Sequence, residues 1–299
     1  MTLNGILPAL ATPLNADLTL NVAALEQLCE HVYAAEVDGV YLCGSTGEGL
    51  VLPAAVRQRI VEVVARNSPR DKRVVVHVGA WTFDEAQSLA RHAARNGAAA
   101  ISSLPPAGAS FPELVEHYRA LAACTDVPFL AYYFPAAGGG PLSLDQLRQI
   151  CALPGVVGLK YTDYDLFTLS LLIREGKVVF NGRDEVLAAG LLMGANGGIG
   201  SIYNLTPGWF VELYAHCRAG RWAEARILQD RINDLIAVLV SFPFMPALKQ
   251  AITWLGFDCG PALRPRVGLT PDQKTKLRES LEPVLLNRPD AVVVRGHAT

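Results

Sequence analysis

The chain has 299 residues, 51% of them hydrophobic and 18% charged, enough for one large core. A net charge of −2 and a pI near 6.3 exclude a basic field for nucleic acid or an anionic membrane, so neither is expected as a partner. The six cysteines, Cys29, Cys43, Cys124, Cys151, Cys217 and Cys259, form no CxxC pair. That argues against a disulfide framework or a metal site and fits reduced thiols in a cytoplasm. No basic and then apolar leader opens the sequence, and no uninterrupted apolar run reaches a membrane-spanning length of about 18 residues.

In chain order, Ile6 to Ala11 reads as a first strand, ended by Thr12-Pro13. Val22 to Ala35 has helical periodicity, with Ala24, Leu25, Leu28, Cys29 and Val32 on one face and Asn21 as N-cap. Gly39 to Cys43 is a second buried strand, closing into Gly44-Ser45-Thr46-Gly47-Glu48, with a helix from Pro53 to Arg66. Arg73 to Val78, Ala98 to Ser102 and Pro128 to Tyr132 follow as strands three to five. Their helices run from Thr82 to Arg95, Phe111 to Ala123 and Ser143 to Ala152. Strand six is Val156-Val157-Gly158-Leu159-Lys160, an apolar run into one lysine, trailed by a helix from Tyr164 to Glu175. Val178 to Asn181 and Gly197 to Ser201 complete the strands, with helices from Glu185 to Met193 and Pro207 to Ala219.

Short apolar runs alternating with amphipathic helices imply a parallel sheet with right-handed crossovers. Eight such units at spacings of roughly 20–35 residues predict a closed (β/α)8 TIM barrel. A doubly wound open sheet is the weaker rival, because no GxGxxG opens the first helix. Three more helical stretches follow, Trp222 to Leu239, Pro246 to Leu255 and Thr270 to Leu286. The expected organisation is a barrel over 1–221 and a helical extension over 222–299, packed on one side of it as a single structural domain. Asn287 to Thr299 reads as frayed, with Ala291 to Val294 able to dock.

A barrel of this kind carries its site at the carboxyl ends of the strands. After strand two, backbone N–H groups with the Ser45 and Thr46 hydroxyls form a small anion nest, suited to a carboxylate or phosphate. An ordinary turn with Ser45 capping a helix fits equally, and Glu48 is of a type to brace it from below. Tyr132 ends strand five, either as a general acid/base or as an aromatic filling the barrel mouth. Lys160 ends strand six. Either its ammonium reaches water, or burial makes the amine neutral enough to form a Schiff base. Asp184 and Glu185 follow strand seven, charging a helix N-terminus or binding sugar hydroxyls. The glycines from Gly194 to Gly200 suggest close backbone approach around Ser201. His77 is the one histidine near a strand end, so no metal set is evident. A nest, a phenol and an amine suit a 2-oxo acid bound as an imine, in which the iminium draws electrons from a breaking C–C bond.

Gly44-Ser45-Thr46-Gly47-Glu48, Tyr132-x-x-Pro135, Gly158-Leu159-Lys160 and Gly194-Ala195-Asn196-Gly197-Gly198, in this order, resemble the dihydrodipicolinate synthase and N-acetylneuraminate lyase family of pyruvate-dependent class I aldolases. The likeness runs from about Gly5 to Leu286. It implies Lys160 as the Schiff-base lysine and Tyr132 as proton shuttle. It implies Ser45 with Thr46 as the carboxylate nest, and Thr162, Gly182, Asp184, Glu185 and Ser201 as contacts to a polyol. It implies a homotetramer and no metal or organic cofactor. Pro135 to Gly140 lacks the arginine of the synthases, and Phe180 to Glu185 looks more like the sialic acid lyases. The expected reaction is cleavage of a 2-oxo-3-deoxy sugar acid, most simply N-acetylneuraminate, to pyruvate and an aldehyde. The alternatives are an aldolase or dehydratase for 2-keto-3-deoxygluconate-like acids or 4-hydroxy-2-oxoglutarate, a dihydrodipicolinate synthase-type enzyme, and a 2-oxo acid sensor without turnover. Two departures stand out. No tyrosine lies around Pro105 to Gly108, where many relatives carry one into a neighbour's proton relay. Arg183 stands where some lyases have tyrosine, and its charge points to a more acidic substrate.

Overall fold

The structure, a computed structural model, describes residues 3–286; the expectation for 287–299 lies outside the described residues. Eight strands, β1 (Gly5–Pro8), β2 (Gly39–Leu42), β3 (Arg73–His77), β4 (Ala100–Ser103), β5 (Phe129–Tyr133), β6 (Val156–Tyr161), β7 (Val178–Asn181) and β8 (Gly197–Gly200), form one parallel sheet. Its order is β1-β8-β7-β6-β5-β4-β3-β2. The seam closes where Ala9 bridges Tyr41 in parallel and the Leu10 N–H donates to the Tyr41 carbonyl at 3.0 Å. This is the (β/α)8 barrel that the alternating pattern implies.

The helices between the strands are α1 (Val22–Ala34), α2 (Ala54–Asn67), α3 (Phe83–Arg95), α4 (Phe111–Ala122), α5 (Leu144–Cys151), α6 (Leu166–Arg174), α7 (Leu187–Leu192) and α8 (Pro207–Arg218). Three more follow, α9 (Trp222–Val240), α10 (Phe244–Trp254) and α11 (Pro271–Leu286). Their starts follow local chemistry. Asn21 Oδ1 accepts from the Ala24 N–H at 3.1 Å, capping α1 as expected. Ser143 and Gln146 form a capping box on α5.

Successive strand side chains point alternately in and out of a barrel, which divides the core in two. Leu7, Tyr41, Val75, Leu130, Tyr132, Phe180 and Ile199 fill the barrel. A larger layer, including Ile6, Val40, Val76, Leu159, Val179, Leu213 and Ile232, packs between the strands and the helices. No single described helix is long and apolar enough to cross a membrane. The bent pair α9 and α10 meets the length and composition test together, at 114°. Its apolar residues Ile232, Leu235, Leu239, Leu248 and Ile252 are buried in the second layer.

Several boundaries differ from expectation: β1 ends at Pro8 rather than Ala11, β4 starts at Ala100 rather than Ala98, and α6 starts at Leu166 rather than Tyr164. Helix α10 starts at Phe244, two residues before Pro246, because proline is tolerated in a first turn that leaves N–H groups unbonded. The helix expected from Glu185 begins instead as a 3₁₀ turn over Asp184–Val186, and α7 starts only at Leu187. The Asp184 carboxylate is drawn away across the barrel mouth.

Candidate active site

The carboxyl ends of the strands enclose a cavity of about 350 Å³. Each of the nine site residues expected from the sequence lines it: Ser45, Thr46, Tyr132, Lys160, Thr162, Gly182, Asp184, Glu185 and Ser201.

Lys160 lies on β6 in register with Tyr132 on β5 and Phe180 on β7. Register places these side chains together on the interior face. Lys160 is 3% exposed, so the reading in which its ammonium reaches water fails. Its Nζ stands 4.0 Å from the ring centre of Tyr41 and 4.1 Å from that of Tyr132. Burial pulls the amine below its ordinary value, opposed in part by the Tyr132 phenol and the Asp184 carboxyl. A lysine so placed holds a larger neutral fraction at neutral pH than one in water.

Tyr132 is buried, edge-on to Tyr41 and His77 and stacked on Phe134. Its hydroxyl meets Ser45 Oγ at 3.4 Å, so the turn after β2 touches the phenol directly. Ser45 therefore faces the cavity and does not cap the following helix. Thr46 Oγ1 lies 2.6 Å from Ser201 Oγ, joining the turns after β2 and β8. Thr12 Oγ1 donates to the Gly47 carbonyl at 2.7 Å. Asn204 donates to the Ala9 and Ser201 carbonyls and accepts from the Ala11 N–H. The rim hydroxyls thus pair with one another, while Thr12 and Asn204 tie the turns to backbone.

Glu48 ties the turn after β2 to the C-terminal segment, by a route that the sequence hides. Its carboxylate is fully buried beside Lys249 Nζ at 3.2 Å and Arg266 Nη1 at 3.2 Å, and it accepts from the Leu263 N–H at 2.8 Å. Lys249 belongs to α10 and also donates to the Pro261 carbonyl at 2.6 Å.

Asp184 is 7% exposed, and Oδ2 accepts from the Ile202 N–H at 2.9 Å. It does not cap its own helix; it ties the turn after β7 to the turn after β8. A Cβ on Gly200 would fall 1.8 Å from Asp184 Oδ1, so only glycine leaves room for this carboxyl. Burial raises its pKa to about 7, with the Ile202 N–H and the Lys160 amine pulling the other way. The native state therefore binds the proton more tightly than the unfolded chain does. Stability falls as pH rises from about 4 to about 7, by at most roughly 4 kcal/mol. Asp184→Asn should flatten that slope. Urea unfolding at pH 5 and pH 8 checks it, since an unchanged slope would place the titration elsewhere.

Gly182 and Thr162 form one wall, and a Cβ on Gly182 would meet Thr162 Oγ1 at 2.0 Å. Thr162 Oγ1 is buried against Gly182 and has no hydrogen-bond partner among the described residues. Glu185 accepts a short hydrogen bond from the Tyr164 hydroxyl.

Several contributors escape the sequence reading. Tyr41 forms the floor beneath Lys160, and its hydroxyl donates to Ser102 Oγ at 3.1 Å. Ile236 and Val240 of α9, Phe244 and Met245 of α10, and Arg266 complete the cavity wall. The C-terminal helices, expected only to pack on one side of the barrel, therefore shape the site. The α9 residue Gln229 also donates to the Asp184 carbonyl at 3.0 Å and accepts from the Ala188 N–H at 2.9 Å. Apolar helical periodicity signals burial but not the cavity it borders. His77, noted as near a strand end, is structural: its Nε2 accepts from the Leu104 N–H at 3.0 Å, and burial lowers its pKa. Among the described residues, no group of three or more His, Cys, Asp or Glu side chains converges as metal ligands would.

A buried strand-end lysine beside two phenols, sharing a cavity with the Ser45 and Thr46 hydroxyls, lies at the mouth of this eight-stranded α/β barrel. Residues 2–284 match the Dihydrodipicolinate synthetase family, and the chain belongs to that family. An N-acetylneuraminate lyase of Rhizobium meliloti is 36% identical over 289 residues, covering 95% of this chain and 96% of that protein. The crystal structure of N-acetylneuraminate lyase from Mycoplasma synoviae has a TM-score of 0.86 and 29% identity, covering 94% of this chain and 97% of that one. The sialic acid aldolase of Aliivibrio salmonicida has a TM-score of 0.87 and 27% identity, covering 95% and 97%.

Proposed function

We propose that this chain is a class I lyase that cleaves a 2-oxo-3-deoxy sugar acid, N-acetylneuraminate being the simplest, to pyruvate and an aldehyde. The observation that carries the reading is Lys160, dry, walled by Tyr41 and Tyr132 and lining the same cavity as Ser45 and Thr46. The similarity to N-acetylneuraminate lyases along nearly the whole chain supports the choice of substrate.

The nest after β2 holds the substrate carboxylate through its hydroxyls and N–H groups. The neutral Lys160 amine attacks the adjacent ketone, and loss of water gives an iminium. The hydroxyl on the carbon beyond C3 gives up its proton, the C–C bond breaks, and its electrons pass into the iminium, leaving an enamine. The aldehyde departs. Tyr132, linked to Ser45 at 3.4 Å, shuttles the proton taken from that hydroxyl to the enamine carbon. Water then releases pyruvate and frees the lysine. Thr162, Gly182, Asp184, Glu185 and Ser201 contact the polyol tail. No metal or organic cofactor is required. The enzyme acts as a homotetramer, a reading supported by the family resemblance and by the exposed apolar residues Trp81, Leu50 and Val51, and the six scattered cysteines support a cytoplasmic location.

The test is pyruvate release from a panel of sugar acids that includes N-acetylneuraminate. Turnover of at least one supports the lyase. Binding of 2-oxo acids with no pyruvate released from any would favour the non-catalytic sensor. Tyr132→Phe removes the shuttle and leaves the ring that walls Lys160, so turnover should fall about 10²-fold with imine formation retained. Retained turnover in that variant would move the proton transfer to another group.

A further inference from the structure

The cavity holds a second cationic feature that the proposed cleavage chemistry leaves unused. Arg183 follows β7 and lines the cavity beside Gly182 and Asp184. Its guanidinium lies against two rings, 4.4 Å from the ring centre of Tyr164 and 5.3 Å from that of Phe134. Contact with aromatic faces orients a guanidinium and does not use up its N–H donors. The nearest carboxylate, Glu185, lies 3.9 Å away, beyond hydrogen-bond distance, and already accepts from Tyr164. Arg183 Nε is buried and finds no acceptor among the described residues.

Topology sets this group apart from the nest. In the barrel order, β7 and β2 are separated by β8 and β1. Lys160 reaches the cavity from β6, on the other flank of β7. A ligand with its carboxylate in the turn after β2 and its ketone at Lys160 can thus direct its far end toward the turn after β7. The other cavity arginine, Arg266, is engaged with Glu48, which leaves Arg183 as the donor for a distal anion.

Resting on the lyase reading above, we infer that Arg183 is a specificity-determining residue that receives a second carboxylate at the far end of the substrate. The favoured class is then a doubly anionic 2-oxo acid, such as the adduct of pyruvate with a hexuronate, over the same acid ending in a neutral CH₂OH. A planar guanidinium suits a carboxylate through paired hydrogen bonds, whereas a terminal hydroxyl offers one partner and no charge.

The experiment compares condensation of pyruvate with mannuronate and with mannose, a pair that differs only at the terminal carbon. The readout is the ratio of the two kcat/KM values, in the unmodified enzyme and in Arg183→Gln and Arg183→Lys. Differences in free aldehyde content cancel between variants. The uronate-to-hexose ratio should fall about tenfold or more in Arg183→Gln, the scale of a charge-assisted hydrogen bond, and recover in part in Arg183→Lys. A merely structural role would weaken both acceptors equally, and an unchanged ratio overturns the proposal. Borohydride trapping of pyruvate is run on every variant. Trapping with an unmoved ratio removes the distal carboxylate site and leaves the lyase standing. Absence of trapping in the unmodified enzyme removes both.

Discussion

Lys160→Ala should abolish pyruvate release, lowering it at least about 10⁴-fold, because no other group in the cavity can form the imine. The remaining hydroxyls, the Tyr132 phenol and the two cavity arginines can bind the acid but cannot accept electrons from the breaking bond. The loss should be in chemistry more than in folding. Among the described residues Lys160 has no hydrogen bond to a carboxylate, and its burial is itself unfavourable, so the variant should be as stable as the parent or more so. Thermal unfolding together with a pyruvate assay separates the two. In the unmodified enzyme, the rate of imine formation should rise with pH and level off below 10.5, the ordinary lysine value, because burial favours the neutral amine. A profile that keeps rising past that value would mean an amine in water.

Glu48→Ala should cost about 3–5 kcal/mol of stability, the penalty for leaving a buried partner charge uncompensated. Lys249 is 1% exposed, and without Glu48 its ammonium keeps only the Pro261 carbonyl. Glu48 also sits at φ 55°, a left-handed conformation that a non-glycine residue adopts at a cost, which its carboxylate network offsets. The pair joins the turn after β2 to α10, so a second effect should appear at the nest. KM for the 2-oxo acid should rise as Ser45 and Thr46 lose their support. Lys249→Met in the same chain removes the orphaned charge and should restore most of the stability without restoring KM. If Glu48→Ala unfolds at the parent denaturant concentration, the carboxylate network is not what anchors the C-terminal helices.

The barrel was legible because each strand is a short apolar run bounded by turn residues and followed by an amphipathic helix. Burial on both faces makes that signal strong, and it locates strand ends to within a residue or two except in β1, which ends three residues before Ala11. Strand ends in turn located the chemistry: Lys160, Tyr132, Asp184 and the Ser45-Thr46 turn could be named because a parallel barrel presents its loops at one mouth. What failed was any feature that depends on which distant surfaces meet. Tyr41 in mid-strand reads as one more core aromatic until the register puts it under Lys160. Lys249 and Glu48 are 201 residues apart, and neither sequence neighbourhood announces the other. Asp184 looks like a helix cap and is instead an acceptor for Ile202, a role permitted by the absent side chain of Gly200. Ile236, Val240, Phe244 and Met245 show helical spacing that any buried face would share.

The central claim is that the Lys160 amine is dry enough to be nucleophilic and forms an imine with a 2-oxo acid. Reduction with borohydride in the presence of pyruvate, followed by peptide mass analysis, tests it most directly. The account predicts a stable three-carbon adduct on the peptide containing Lys160, lost in Lys160→Ala. An unmodified peptide, or an adduct on another lysine, would contradict it.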